Sequence, residues 1–130
     1  MNPPHEVDCP FCQCASSNRM VVEYGSVFAI HDKYPVTEGH HLVVTKRHVT
    51  DYFAMSYNEK RDAEALLSLL KRQMLEDDPS VQGFNVGMNC GAVAGQTVMH
   101  THIHLIPRRV ADVDDPRGGV RGCVPEKMGY

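Results

Sequence analysis

The sequence predicts an α+β fold: a five-stranded antiparallel sheet with one long helix on one face and one short helical turn. Three observations carry the prediction. Five short runs are rich in β-branched or aromatic residues or alternate polar with apolar. One stretch of about twenty residues is amphipathic at helical spacing. Apart from the stretch that carries this helix, the connections between strands are short, as in an antiparallel sheet.

Taken in order, the chain opens on a lead-in, residues 1–18, that carries Pro3, Pro4, Pro10, three cysteines and Ser16-Ser17-Asn18 and is expected to be irregular. Met20-Val21-Val22-Glu23-Tyr24 and Val27-Phe28-Ala29-Ile30-His31 flank Gly25-Ser26 as a hairpin would. Asp32–Gly39 is a loop punctuated by Pro35 and Gly39, and His41–Thr45 is a third strand. A short helical turn fits Asp51–Met55. Ser56 with Glu59 three residues on has capping-box spacing. After it Ala63, Leu66, Leu67, Leu70 and Met74 recur on one face, with Lys60, Arg61, Glu64, Lys71 and Arg72 between them, which predicts a helix over Tyr57–Glu76. Gln82–Asn89 alternates as a half-buried strand does. Cys90–Gln96 is a Gly-bearing loop, and Met99–Ile106 is a fifth strand, expected to stop at Pro107. Residues 19–109 are thus the folded domain. Residues 110–130, with Pro116, Gly118-Gly119, Gly122 and Pro125, are expected to be an irregular tail, ordered only if something covers it.

Composition narrows the function. The chain has 130 residues, enough for one domain with a real core. Thirteen Lys+Arg against sixteen Asp+Glu leave a formal charge of −3, which argues against a nucleic-acid partner while leaving room for a small phosphate ligand. No apolar run is long enough to span a bilayer, so no membrane partner is expected. The N-terminal residues lack the basic and apolar regions of an export leader, and five cysteines, an odd number, suit a reducing cytoplasm.

Eight histidines stand out, five of them in two groups: His40-His41, and His100, His102 and His104. On a strand, successive side chains point to opposite faces, so the three odd-spaced imidazoles would share one face, about 6.6 Å apart from one to the next. Thr101, Ile103 and Leu105 would face the helix. Three readings fit: exposed histidines without a task, a metal site completed from elsewhere, or covalent catalysis, in which a neutral imidazole attacks phosphorus. Phosphoryl chemistry also needs donors aimed at the transition-state oxygens, and Gly95-Gln96-Thr97 offers an N–H, an amide and a hydroxyl just before the strand.

His100-Thr101-His102-Ile103-His104-Leu105-Ile106 resembles the histidine-triad (HIT) pattern, His-φ-His-φ-His-φ-φ, with Thr101 where an apolar residue is usual. Phe28-Ala29-Ile30-His31-Asp32 resembles the family's ribose-binding strand end, Gly39-His40 its second histidine site, and Asn89 with Gly95-Gln96-Thr97-Val98 its phosphate loop. The likeness runs from about Cys9 to Arg109. It implies a HIT-like fold that dimerises into a ten-stranded sheet, with the long helix and the Met88–Leu105 region at the contact. It also implies a nucleotide hydrolase or transferase working at the α-phosphate of purine nucleotide conjugates. His102 would be the nucleophile that carries the nucleotidyl group, and His104 would assist proton transfer at the phosphate or leaving group. His40 would help orient the nucleophile. Asn89, Gly95, Gln96 and Thr97 would bind the phosphate, Asp32 would accept the ribose hydroxyls, and Phe28, Ile30 and His31 would line the base pocket. Gln96-Thr97-Val98 and Pro107-Arg108 resemble the fragile-HIT dinucleoside polyphosphate hydrolases. His31-Asp32 and Asn89 resemble the Hint branch, which acts on nucleoside 5′-phosphoramidates. A regulatory nucleotide-binding module with little turnover and a zinc hydrolase built on the three histidines are the alternatives.

Cys9-Pro10-Phe11-Cys12 is a C-x-x-C that by spacing alone fits a redox pair, half a zinc site or chance. Some HIT proteins carry such a pair and complete a Cys₂His₂ site, at positions that are His48 and His100 here. The resemblance therefore implies structural zinc on Cys9, Cys12, His48 and His100, with no organic cofactor. It would move His100 from chemistry to scaffolding. Cys14 is read as a bystander, and Cys90 and Cys123 show no partner by spacing.

Overall fold

The computed structural model describes residues 8–15 and 18–130; Pro3, Pro4, Ser16 and Ser17 of the lead-in lie outside the described residues. The hairpin forms where its residues place it, β1 (Met20–Tyr24) against β2 (Val27–His31) around Gly25, whose φ of 57° suits glycine. β3 (His41–Thr45), β4 (Val81–Gly87) and β5 (His102–Arg109) complete an antiparallel sheet in the order β1-β2-β3-β5-β4. The long helix spans Tyr57–Asp77, and both halves of its capping box are made: Ser56 Oγ accepts from the Glu59 N–H at 3.1 Å, and Glu59 Oε1 accepts from the Ser56 N–H at 2.8 Å.

Strand alternation splits the core into two layers. Val27, Ala29, Val43, Ile103 and Leu105 meet Ala63, Leu66 and Leu70 of the long helix. Phe28, Ile30, Leu42 and Val44 point to the other face, where they pack against Cys9, Phe11, Cys12 and Cys14.

Five local expectations are corrected or refined. The lead-in is not wholly irregular: Pro10–Cys14 forms a short helix, α1, with proline in its first turn and Cys9 as N-cap, Sγ accepting from the Cys12 N–H. The long helix is therefore α2. The turn at Asp51–Met55 is a 3₁₀ turn over Tyr52–Ala54, capped by Asp51. β5 starts at His102, because His100 and Thr101 bond instead to the irregular segment after β3: Thr101 N–H reaches Val49 O at 2.8 Å. It also runs through Pro107, which lies beyond Leu105, the last β5 residue paired with β3; with partners on one side only, a missing N–H is tolerated. The tail is ordered into 3₁₀ turns at Gly119–Cys123 and Pro125–Lys127, the first lying against β4.

Candidate active site

The three odd-spaced histidines do not act as one row. His102 and His104 sit on β5 facing the α1 side of the sheet, opposite Val44 and Leu42 of β3. His102 is nearly buried, with the Phe11 ring 4.8 Å away and the His104 ring 5.4 Å away, centre to centre. Its Nδ1 lies 2.8 Å from the His100 carbonyl oxygen. A carbonyl only accepts, so Nδ1 carries the proton and Nε2 keeps its lone pair.

The same reasoning fixes two more tautomers. The Val36 N–H donates to His40 Nδ1 at 3.1 Å, so His40 carries its proton on Nε2. That N–H faces His104 Nδ1 at 2.9 Å and Asp32 Oδ2 at 3.3 Å. His104 Nδ1 therefore accepts, and its Nε2–H remains to donate. Burial pushes the His104 pKa down to about 4, aided by His102 and His40 and opposed by Asp32; burial likewise lowers that of His40 against the pull of Asp32. Burial thus disfavours the charged forms of His40 and His104, and the hydrogen bonds assign their donor and acceptor ends.

His100 turns the other way. Its Nε2–H donates to the Thr45 carbonyl at 2.6 Å, leaving Nδ1 as a lone pair 3.4 Å from the sulfurs of Cys9 and Cys12 and 3.2 Å from His48 Nδ1. Cys12 Sγ stands 3.2 Å from His48 Nδ1. All four donor atoms lie within 4.8 Å of one another. Tetrahedral zinc with bonds of about 2.0–2.3 Å separates its donors by roughly 3.3–3.8 Å, so the set has the size and chemistry of a Cys₂His₂ centre. The outward nitrogen of His100 is already held by a carbonyl, as zinc-bound imidazoles require.

A family model described as the HIT domain matches residues 15–111. The chain belongs to the HIT family. A "16.1 kDa HIT-like protein" of Mycoplasma pneumoniae is 34% identical over 78% of this chain and 72% of its own length. The "Adenylylsulfatase HINT3" of Arabidopsis thaliana is 32% identical over 81% of the chain and 54% of its own. An asymmetrical bis(5′-nucleosyl)-tetraphosphatase of Schizosaccharomyces pombe is 35% identical over 62% and 44%. Among solved structures, a zinc-bound histidine triad protein from Mycobacterium smegmatis superposes with a TM-score of 0.74 at 31% identity, covering 81% of this chain and 78% of that one.

The other residues singled out in this HIT domain fall in different places. Asp32 stands beside His40 and also accepts from the Tyr34 N–H at 2.8 Å. Asn89, His40 and His104 line a cleft of about 770 Å³, with Gly95 backed against the Asn89 amide. Gln96 is buried and fully engaged: its oxygen accepts from the Gly91 N–H at 2.8 Å, and its nitrogen donates to the carbonyls of Thr50 and Val98 at 2.7 and 3.1 Å. It holds the loop's shape. Thr97 is exposed beside Cys9 and His48, away from the cleft. Phe28 and Ile30 are fully buried under α1, packed as core. His31 alternates with Ala29 onto the α2 side of the sheet, where its ring lies 4.4 Å from that of His41.

Sequence reasoning missed the Val36 N–H that sets His40's tautomer, since any residue supplies a backbone donor. It also missed the Arg108–Asn85–Asp112 cluster. Opposite charges four residues apart, as at Arg108 and Asp112, point to a pair only on a helix.

Proposed function

We propose that this HIT protein cleaves purine nucleotide conjugates at the α-phosphate, through a nucleotidyl group carried on His102 Nε2. The hydrogen bond from His102 Nδ1–H to the His100 carbonyl carries the reading. It orients the ring and selects the neutral tautomer in which Nε2 carries the lone pair. His104 presents an N–H beside it, able to give a proton to the departing atom, and His40 holds His104 in that tautomer. Asp32 is assigned to the vicinal ribose hydroxyls, since a carboxylate offers two acceptor oxygens. Asn89 and Gly95 are assigned to the phosphate, with Gln96 shaping their loop and Thr97 the least placed for contact. Phe28, Ile30 and His31 are assigned to the base side of the site, Phe28 and Ile30 from within the core and His31 from the exposed end of β2. The activities named for the Arabidopsis and fission-yeast relatives, on adenylyl sulfate and on a dinucleoside tetraphosphate, support nucleotide conjugates as the substrate class.

Cys9, Cys12, His48 and His100 would hold zinc, whose closed set of four protein ligands makes its contribution structural. Among the described residues, no cluster of donors contains His100, His102 and His104 together, so a zinc hydrolase built on all three finds no support. The wide apolar groove between α2 and β4, with Phe53, Tyr57, Leu67, Val86 and Met88 along it, is assigned to a second copy of the chain.

The test is to trap the enzyme on a slow adenosine phosphoramidate and weigh it. An AMP adduct on His102, absent in His102→Asn with unchanged zinc content, is the expected result. No adduct, together with undiminished turnover by His102→Asn, overturns the proposal.

A further inference from the structure

The residues that alternate with the histidines before and along β5 are Thr101, Ile103 and Leu105. Thr101 is the polar one, and it is buried, with 1% of its surface exposed. A hydroxyl taken that far from water needs a partner. Thr101 Oγ1 donates to the Val49 carbonyl at 2.9 Å, and the Thr101 N–H donates to the same oxygen at 2.8 Å. A carbonyl oxygen has two lone pairs, so one acceptor takes both donors of one residue. That acceptor is itself held. Val49 is buried in the layer shared with α2. Its N–H donates to the Arg47 carbonyl at 3.0 Å, and Thr45 Oγ1 donates to that carbonyl as well, at 2.8 Å. Arg47 in turn pairs at 2.7 Å with Glu59, in the first turn of α2.

The Thr101 N–H and the His100 carbonyl are the two edges of one peptide unit. The unit is planar and trans, so its N–H and C=O point in opposite directions. One edge is fastened to Val49, and the other accepts from His102 Nδ1 at 2.8 Å. Turning the plane to release either bond would misdirect the other. The backbone N–H alone would give the first edge a single fastening. The hydroxyl adds a second, from a side chain whose branched Cβ restricts its rotation.

On the reading that His102 is the nucleophile, we infer that Thr101 is a positioning residue for it. Its hydroxyl, bonded to the Val49 carbonyl, fixes the plane of the His100–Thr101 peptide and so aims the carbonyl that holds the His102 ring. Thr101 acts through the backbone alone, at the end of a line that runs from α2 through Arg47 and Val49.

The experiment uses the full chain, with zinc content measured and equal in every variant. Thr101→Val keeps the shape of the side chain and removes the hydroxyl. Two readouts are taken at one pH. The first is the rate of adduct formation when enzyme is mixed in excess with an adenosine phosphoramidate. The second is the ¹⁵N spectrum of the His102 ring without substrate, which shows which nitrogen carries the proton. Thr101→Val should slow adduct formation by about twofold to tenfold, the worth of one neutral hydrogen bond. The half-saturating concentration should stay unchanged, since binding is untouched. The two ring resonances should move toward each other as the Nε2–H form becomes populated. Thr101→Ser, which keeps the hydroxyl, should return both readouts to the wild-type values. Thr101→Ala is read in the same way if the valine variant does not fold. A wild-type rate and ring spectrum without the hydroxyl, or a serine variant that behaves as valine does, overturns the assignment. Absence of an adduct in the wild type overturns the nucleotidyl-histidine reading instead, and the ring spectrum, which needs no substrate, still decides whether Thr101 holds His102.

Discussion

At the scale of single residues, the site is a chain of tautomers set by groups that cannot titrate. The His100 carbonyl fixes His102, the Val36 N–H fixes His40, and His40 then fixes His104. Replacing His102 by Asn, which keeps an amide in place but removes the nucleophile, should cut turnover by about a thousandfold or more in steady-state assays. A pH dependence follows from His104. Its ordinary value is 6.5 and burial takes it to about 4, so between those values the unfolded chain binds the extra proton and the folded one does not. Stability should therefore be full above pH 6.5 and fall as the pH drops toward 4. Denaturant titrations at pH 7 and pH 5 check this, and His104→Gln should flatten the difference. The shared face of His102 and His104 was legible in the sequence because strand alternation is a strict rule, while His40 was pointed to by the resemblance alone. The tautomers were not legible, since they depend on backbone groups brought in from other segments.

At the scale of elements, the helix was the most readable part. Its apolar period and its Ser-x-x-Glu start agree, and both are used. Ser56→Ala should cost about 1 kcal/mol of unfolding free energy, the usual worth of such a cap. Leu66→Ala, at a fully buried position against the sheet, should cost about 2–5 kcal/mol; both are read from denaturant melts. The hairpin and third strand were equally plain, because Gly-Ser and Pro-Gly punctuation bounds them. The start of β5 was misread, since His100 has the same spacing as its neighbours but leaves the ladder for the cysteines. α1 was hidden for a related reason. Five residues rich in cysteine have no helical period, and what holds them is the buried layer of Phe28, Ile30, Leu42 and Val44 beneath.

At the scale of the whole molecule, two faces of the sheet have two occupants. α2 covers one, and α1 with the cysteine–histidine cluster covers the other. The edge beyond β4 keeps an apolar groove beside α2. Filled by a second chain, it predicts a particle of twice the 14.5 kDa chain mass in light scattering, and Leu67→Glu within the groove should shift that mass toward the single chain. Little of this was visible in composition, because a groove is made by residues from separate elements meeting in space.

His100 serves two neighbourhoods at once. Its ring faces the thiols while its own carbonyl steadies the ring of His102. If zinc fills this cluster and the proposed activity holds, a chelating agent should make activity fade in step with the loosening of α1, and would tempt an observer to write down a metalloenzyme. The metal would be a hinge pin here: pulled out, it lets the door sag until the latch no longer meets its plate.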